Sequence, residues 1–170
     1  TLVALLAATA WTWPVGDPAG DPGPSRPFDA PAHAYGPGHR GVDLAAAVGD
    51  PVRSPADGVV TLARDVAGVP VVVVAHGARR TADELRSTLQ PVVSDVPVGT
   101  VVRRGQVVGG VAEWAAHCGP DPCLHWGVRR GPEYLDPAGL FTAPVRLLPV
   151  GPPVPRAGPD GAERAEHISA

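Results

Sequence analysis

The sequence predicts an all-β domain of mainly antiparallel sheet, and three observations predict it. Proline (22) and glycine (21) punctuate the chain so densely that long helices have little room. The apolar residues come in short, β-branched runs, above all VPVVVVA at 69–75, which is the composition of buried strands. Between the runs stand turn-forming groups such as Pro55-Ala56-Asp57 and Arg104-Gly105. With 170 residues and a hydrophobic fraction of 44%, the chain has material for one real core and not for two.

Taken in order, residues 1–10 (TLVALLAATA) form an uncharged apolar run. The run is too short to span a bilayer. Ala8-Thr9-Ala10 supplies the small residues that suit signal-peptidase cleavage after Ala10. These residues therefore read as a residual signal-peptide segment, and the domain as exported. Residues 11–27 follow as a Pro/Gly-rich lead-in with little periodicity. The folded domain is expected over residues 28–141.

Within it, GVVTL at 58–62 reads as a strand launched by the turn at 55–57, and residues 69–75 as a strand buried on both faces. Residues 82–89 (ADELRSTL) are ambiguous, since Ala82, Leu85 and Leu89 could mark one face of a short helix. Residues 98–111 (VGTVVRRGQVVGGV) read as two short strands around Arg104-Gly105, and residues 124–129 alternate like a half-buried strand. Residues 142–170 form a Pro/Gly-rich tail, expected to be disordered. No stretch is long and apolar enough to be a transmembrane helix.

Charge excludes several classes of partner. The formal net charge is -3 and the charges are scattered, so there is neither a nucleic-acid footprint nor a polybasic membrane patch. All 14 basic residues are arginine. The hairpin-like VRSPADGVV and VVRRGQVVG also suit biotinyl or lipoyl carriers, but those need a lysine for the cofactor, and this chain has none. The two cysteines, Cys118 and Cys123, flank a Gly-Pro-Asp-Pro turn. An even count in an exported protein reads as a disulfide; the alternative is a pair of thiolate metal ligands.

Two segments carry chemistry. In GHRGVDL at 38–44, an extended backbone puts His39 and Asp43 on one side, with Gly41 leaving room between them. In CLHWGV at 123–128, the same period of two sends Leu124, Trp126 and Val128 to the core and Cys123 and His125 to the other face. Two imidazoles and a carboxylate suit Zn²⁺, and three protein ligands leave a fourth position open.

GHRGVDLAA, VRSPADGVV, VVVVAHG, VVRRGQVVG and CLHWGV, in that order, resemble the lysostaphin-type (LytM-like) zinc metallopeptidases over roughly residues 28–141. The resemblance implies a small β-sandwich built on a duplicated hybrid motif, with a narrow groove. It implies zinc held by His39, Asp43 and His125, and cleavage of peptidoglycan peptide in the bacterial cell envelope or outside the cell. It also implies a monomer that meets peptidoglycan and other cell-wall enzymes.

Two departures from the family pattern stand out. Its late His-x-His is Cys123-Leu124-His125 here, and the position of its other assisting histidine falls at about Leu85. Glu84 as general base and His117, beside Cys118, are the residues available to substitute. His76-Gly77 matches a structural turn of the family. The missing histidines also motivate a different class of function, a non-catalytic peptidoglycan-binding or hydrolase-activating module.

Overall fold

The computed structural model describes residues 11–17, 23–33, 36–77, 84–114, 118 and 121–141. The expected signal-peptide segment, the tail beyond residue 141 and His117 lie outside the described residues. Those described form ten strands and a 3-10 helix: β1 (Val42–Ala45), β2 (Pro51–Arg53), β3 (Gly58–Val66), β4 (Val69–His76), β5 (Leu85–Gln90), β6 (Val92–Ser94), β7 (Val101–Val102), β8 (Val107–Val111), β9 (Cys123–Arg130), β10 (Glu133–Leu135) and the helix Pro137–Phe141.

The architecture is all-β, as the sequence predicts. A seven-stranded sheet runs β1-β9-β5-β4-β3-β7, with β10 also pairing β9, and a three-stranded sheet runs β2-β8-β6. Every pairing is antiparallel. Alternate residues of the large sheet face the core: Val60 of β3, Val72 and Val74 of β4, Leu89 of β5, and Leu124, Trp126 and Val128 of β9 are each 0% exposed. Val52, Val108 and Val111 of the small sheet belong to the same cluster. The other face of the large sheet carries Cys123, His125, Gly127 and Arg129 of β9 beside Gln90, Thr88 and Arg86 of β5.

Three expectations change. The segment 82–89 does not form a helix from residue 84 onward, because β5 is paired along both edges, to β4 and to β9. Leu85 and Leu89 lie four apart and fit either period; the ladder decides. Second, β9 is not half-buried: residues from Cys123 to Val128 are buried on both faces. Its outer side is covered by the chain around Arg40, whose carbonyl oxygen lies 3.0 Å from where a Gly127 Cβ would stand. Third, the lead-in is part of the core. Trp13 and Val15 are buried, and Trp13 stacks on Phe141 at 4.5 Å and meets Trp126 edge-on at 5.7 Å.

Candidate metal centre

The site is assembled by register. β1 pairs with β9 so that Asp43 stands directly opposite His125. His39 lies outside β1, where the chain bends at Arg40 and Gly41 before the strand begins at Val42. The segment from 39 to 43 is therefore not one continuous strand, yet its two ligand side chains still converge. Gly41 makes this possible, since a Cβ there would meet the Trp126 carbonyl and come within 2.8 Å of the His125 ring.

The lead-in latches the same segment from outside. Asp43 and Arg26 pair through their backbones, and Ser25 donates from both its N–H and its hydroxyl to the Asp43 carbonyl. Asp29 and His39 exchange backbone hydrogen bonds of 2.8 and 3.0 Å. Sequence reasoning missed this role because single bridges leave no periodicity.

Three ligand atoms come together. His39 Nε2 is 3.0 Å from Asp43 Oδ1, His125 Nδ1 is 2.8 Å from the same oxygen, and the two imidazole nitrogens are 3.1 Å apart. All three residues are buried, at 3%, 2% and 8% exposure. His39 Nδ1 lies 2.7 Å from the Pro27 carbonyl. A carbonyl only accepts, so Nδ1 carries the proton and Nε2 turns its lone pair inward. With both imidazoles neutral, the three converging atoms share at most one hydrogen. Such a cluster favours a cation at its centre. Zinc–ligand distances of about 2.0–2.1 Å at tetrahedral angles put ligand atoms about 3.3 Å apart, close to the separations found. The donor set fits zinc, and His39, Asp43 and His125 are the residues that could hold it.

The cysteines form a disulfide, with Cα atoms 6.0 Å apart. Their sulfurs and an Asp43 carboxylate oxygen lie within 4.8 Å of one another, so the disulfide walls the site. Bonded sulfur is not a thiolate and offers no ligand of that kind.

Of the other expected positions, Glu84 and Leu85 are not brought here, and His117 lies outside the described residues. Leu85 pairs with Arg130, whereas Gln90 pairs with His125. Five residues of strand, about 17 Å, separate the two ends of β5. Glu84, just before Leu85, is thus at the far end, where its carboxylate is bound by Arg86 at 2.8 and 3.2 Å. It is not placed to act on a water at the cluster. On the β5 side the residue opposite His125 is Gln90, which nothing in TLQP marks; only the register singles it out.

His76 lies on the core face and is structural. Its Nδ1 donates to the Asp57 carbonyl at 3.0 Å, so Nε2 accepts from the Ser87 hydroxyl at 2.9 Å, and Ser87 Oγ accepts from Trp126 Nε1 at 3.1 Å. Burial pushes the His76 pKa below its ordinary value, outweighing the hydrogen bond to Asp57 and the charge of its carboxylate, both of which favour the proton.

Residues 37–137 match the family model for peptidase family M23, a span that contains His39, Asp43 and His125. In Mycobacterium tuberculosis, the protein named Uncharacterized protein Rv2891 is 41% identical over 143 residues, covering 81% of this chain and 54% of its own length. The chain thus spans about half the length of this curated relative. Its fold is similar to a zinc containing peptidase from Vibrio cholerae, with TM-score 0.60, 24% identity and coverage of 79% of this chain and 40% of that one. It is also similar to the catalytic domain of the antimicrobial peptidase lysostaphin from Staphylococcus simulans, with TM-score 0.54, 17% identity and coverage of 71% and 92%. At these identities the two structures speak for the fold.

Proposed function

The chain belongs to peptidase family M23, and from that premise we propose that it is a zinc-dependent metalloendopeptidase-type domain acting on peptidoglycan peptides in the bacterial cell envelope. One observation carries this reading: His39 Nε2, Asp43 Oδ1 and His125 Nδ1 converge within about 3 Å of one another on the outer face of the large sheet. When bound there, zinc supplies a Lewis acid that polarises a peptide carbonyl and lowers the pKa of a water. The protein's part is positioning. The Pro27 carbonyl fixes the His39 tautomer, and the backbone latch at Ser25 and Arg26 fixes Asp43. Gln90, opposite His125, brings a carboxamide donor suited to a carbonyl oxygen on which charge develops. The Cys118–Cys123 disulfide supports an extracytoplasmic setting.

A specific observation favours a second reading, a non-catalytic peptidoglycan-binding or hydrolase-activating module. Of the two positions at which the resemblance sets assisting histidines, Cys123 is held in a disulfide, and Leu85 pairs with Arg130 at the end of β5 away from His125. Loss of one such donor costs about 10²–10³ in turnover.

The test is metal and free-thiol content together with incubation on insoluble cell wall. About one zinc per chain, no free thiol and chelator-sensitive release of peptide is the expected result. Zinc with wall binding but no release selects the module. Protein never exposed to chelator and still free of zinc ends both metal readings.

A further inference from the structure

On the face that carries His125, β9 places Gly127 and then Arg129, and β5 places Thr88 and then Arg86 directly opposite them. The two arginines therefore lie about 13 Å along the strands from His125, four residues at the usual strand rise. Between them and the cluster, Gly127 lies buried under the Arg40 carbonyl, so the partly exposed strip on this face runs over Thr88 of β5. At the arginine end is a cavity of about 340 Å³ lined by Thr61, Leu62, Val73, Arg86, Thr88 and Arg129.

Like charges placed directly opposite on one sheet face repel. Glu84 answers one of them, binding Arg86 through Nη2 at 2.8 Å. Arg129 has no ion pair among the described residues. The Thr88 hydroxyl is a further donor at the same wall, whereas Thr61 spends its hydroxyl hydrogen on the Val73 carbonyl. The pocket thus holds one guanidinium without an ion pair among the described residues, with a hydroxyl beside it.

We propose that this pocket is a carboxylate subsite, in which Arg129, assisted by Thr88 and Arg86, binds a carboxylate of a peptide lying extended along β5. A guanidinium fork matches a carboxylate in two parallel hydrogen bonds. An extended peptide covers about 13 Å in four residues, so the acid group sits about four residues from the bond placed at His39, Asp43 and His125. The carboxylate is either a peptide's C-terminus or a side chain. Only the direction of the peptide rests on the proposed function; the pocket itself does not.

The experiment titrates three N-acetylated pentapeptides of alanine and glycine into the full chain: one with a free C-terminal carboxylate, its C-terminal amide, and an amide carrying a single glutamate. Zinc-loaded protein, Asp43→Ala, Arg129→Gln and Arg129→Lys are compared. At least one acid peptide is expected to bind about tenfold tighter than the amide. That preference persists in Asp43→Ala, is lost in Arg129→Gln and is partly kept in Arg129→Lys. Which acid peptide gains tells C-terminal from side-chain recognition. Equal binding of acid and amide peptides, or a preference untouched by Arg129→Gln, overturns the subsite. So does a preference lost in Asp43→Ala, which puts the carboxylate on the metal, or inorganic phosphate competing as well as the best peptide. Acid-selective binding without cleavage leaves the subsite standing and removes only the peptidase reading.

Discussion

On the core face of the large sheet, His76, Ser87 and Trp126 form a chain that closes on itself: each hydrogen has an acceptor, ending at the Asp57 carbonyl. On the opposite face, His39, Asp43 and His125 are as deeply buried, but three acceptor-bearing atoms point at one another. Both clusters contain buried histidine, and burial alone does not tell them apart. The count of hydrogens does. Where donors and acceptors balance, the cluster is part of the packing; where acceptors crowd together, something cationic belongs between them.

The largest expected effect breaks the metal side. Asp43→Ala removes the anionic ligand, and zinc content is expected to fall from about one per chain to near zero. Affinity falls by more than about a hundredfold, since changes outside the ligand shell alone cost about 10–100-fold. Elemental analysis after dialysis against limiting zinc measures it. A variant that keeps its zinc means the three atoms are not the ligand set. Thermal unfolding sharpens the contrast: added zinc raises the midpoint of the wild type and leaves that of Asp43→Ala unchanged.

A smaller effect breaks the other side. Ser87→Ala leaves Trp126 Nε1 without its acceptor and His76 Nε2 without its donor, both in the core. A cost of about 2–3 kcal/mol follows from leaving buried partners unsatisfied. Denaturant unfolding reads this loss, while zinc content stays at its wild-type value. Loss of metal together with stability shows that the two faces are mechanically one unit, and the comparison then fails.

Much of this was legible in the sequence. Short β-branched runs between turns gave the all-β class, because period and turn chemistry are local. The period of two at 123–128 placed His125 away from the core and Trp126 within it, as found. Other features are not local and left no trace. Gln90 becomes a neighbour of His125 only through strand register, and Glu84 is separated from the cluster by the same register. Arg26 and Asp29 latch the ligand segment through backbone atoms, and Ser25 does so through its N–H as well as its hydroxyl; backbone groups are the same at every non-proline position and leave no mark in the sequence. The lead-in looked structureless because Trp13 and Val15 enter the core without a strand between them.

The most delicate difference between the clusters is their response to acid. His76 has its pKa lowered by burial, so below its ordinary value near 6.5 the unfolded chain takes up a proton that the folded chain refuses. Stability rises with pH wherever the unfolded state binds more protons. The contribution of a neutral His76 is therefore complete above about pH 6.5 and is lost as pH falls from there toward the folded pKa. Asp57 and the edge-on Trp11 ring are the groups beside the imidazole whose charge or bulk bears on it. Zinc ligands also release their metal in acid, so the measurement is made in the metal-free Asp43→Ala background, with and without His76→Gln. Removing the imidazole is expected to flatten the fall in unfolding free energy below pH 6.5. Equal slopes in the two proteins mean that the core-face cluster accepts a proton without strain, and that hydrogen counting on one face does not separate packing from ion binding.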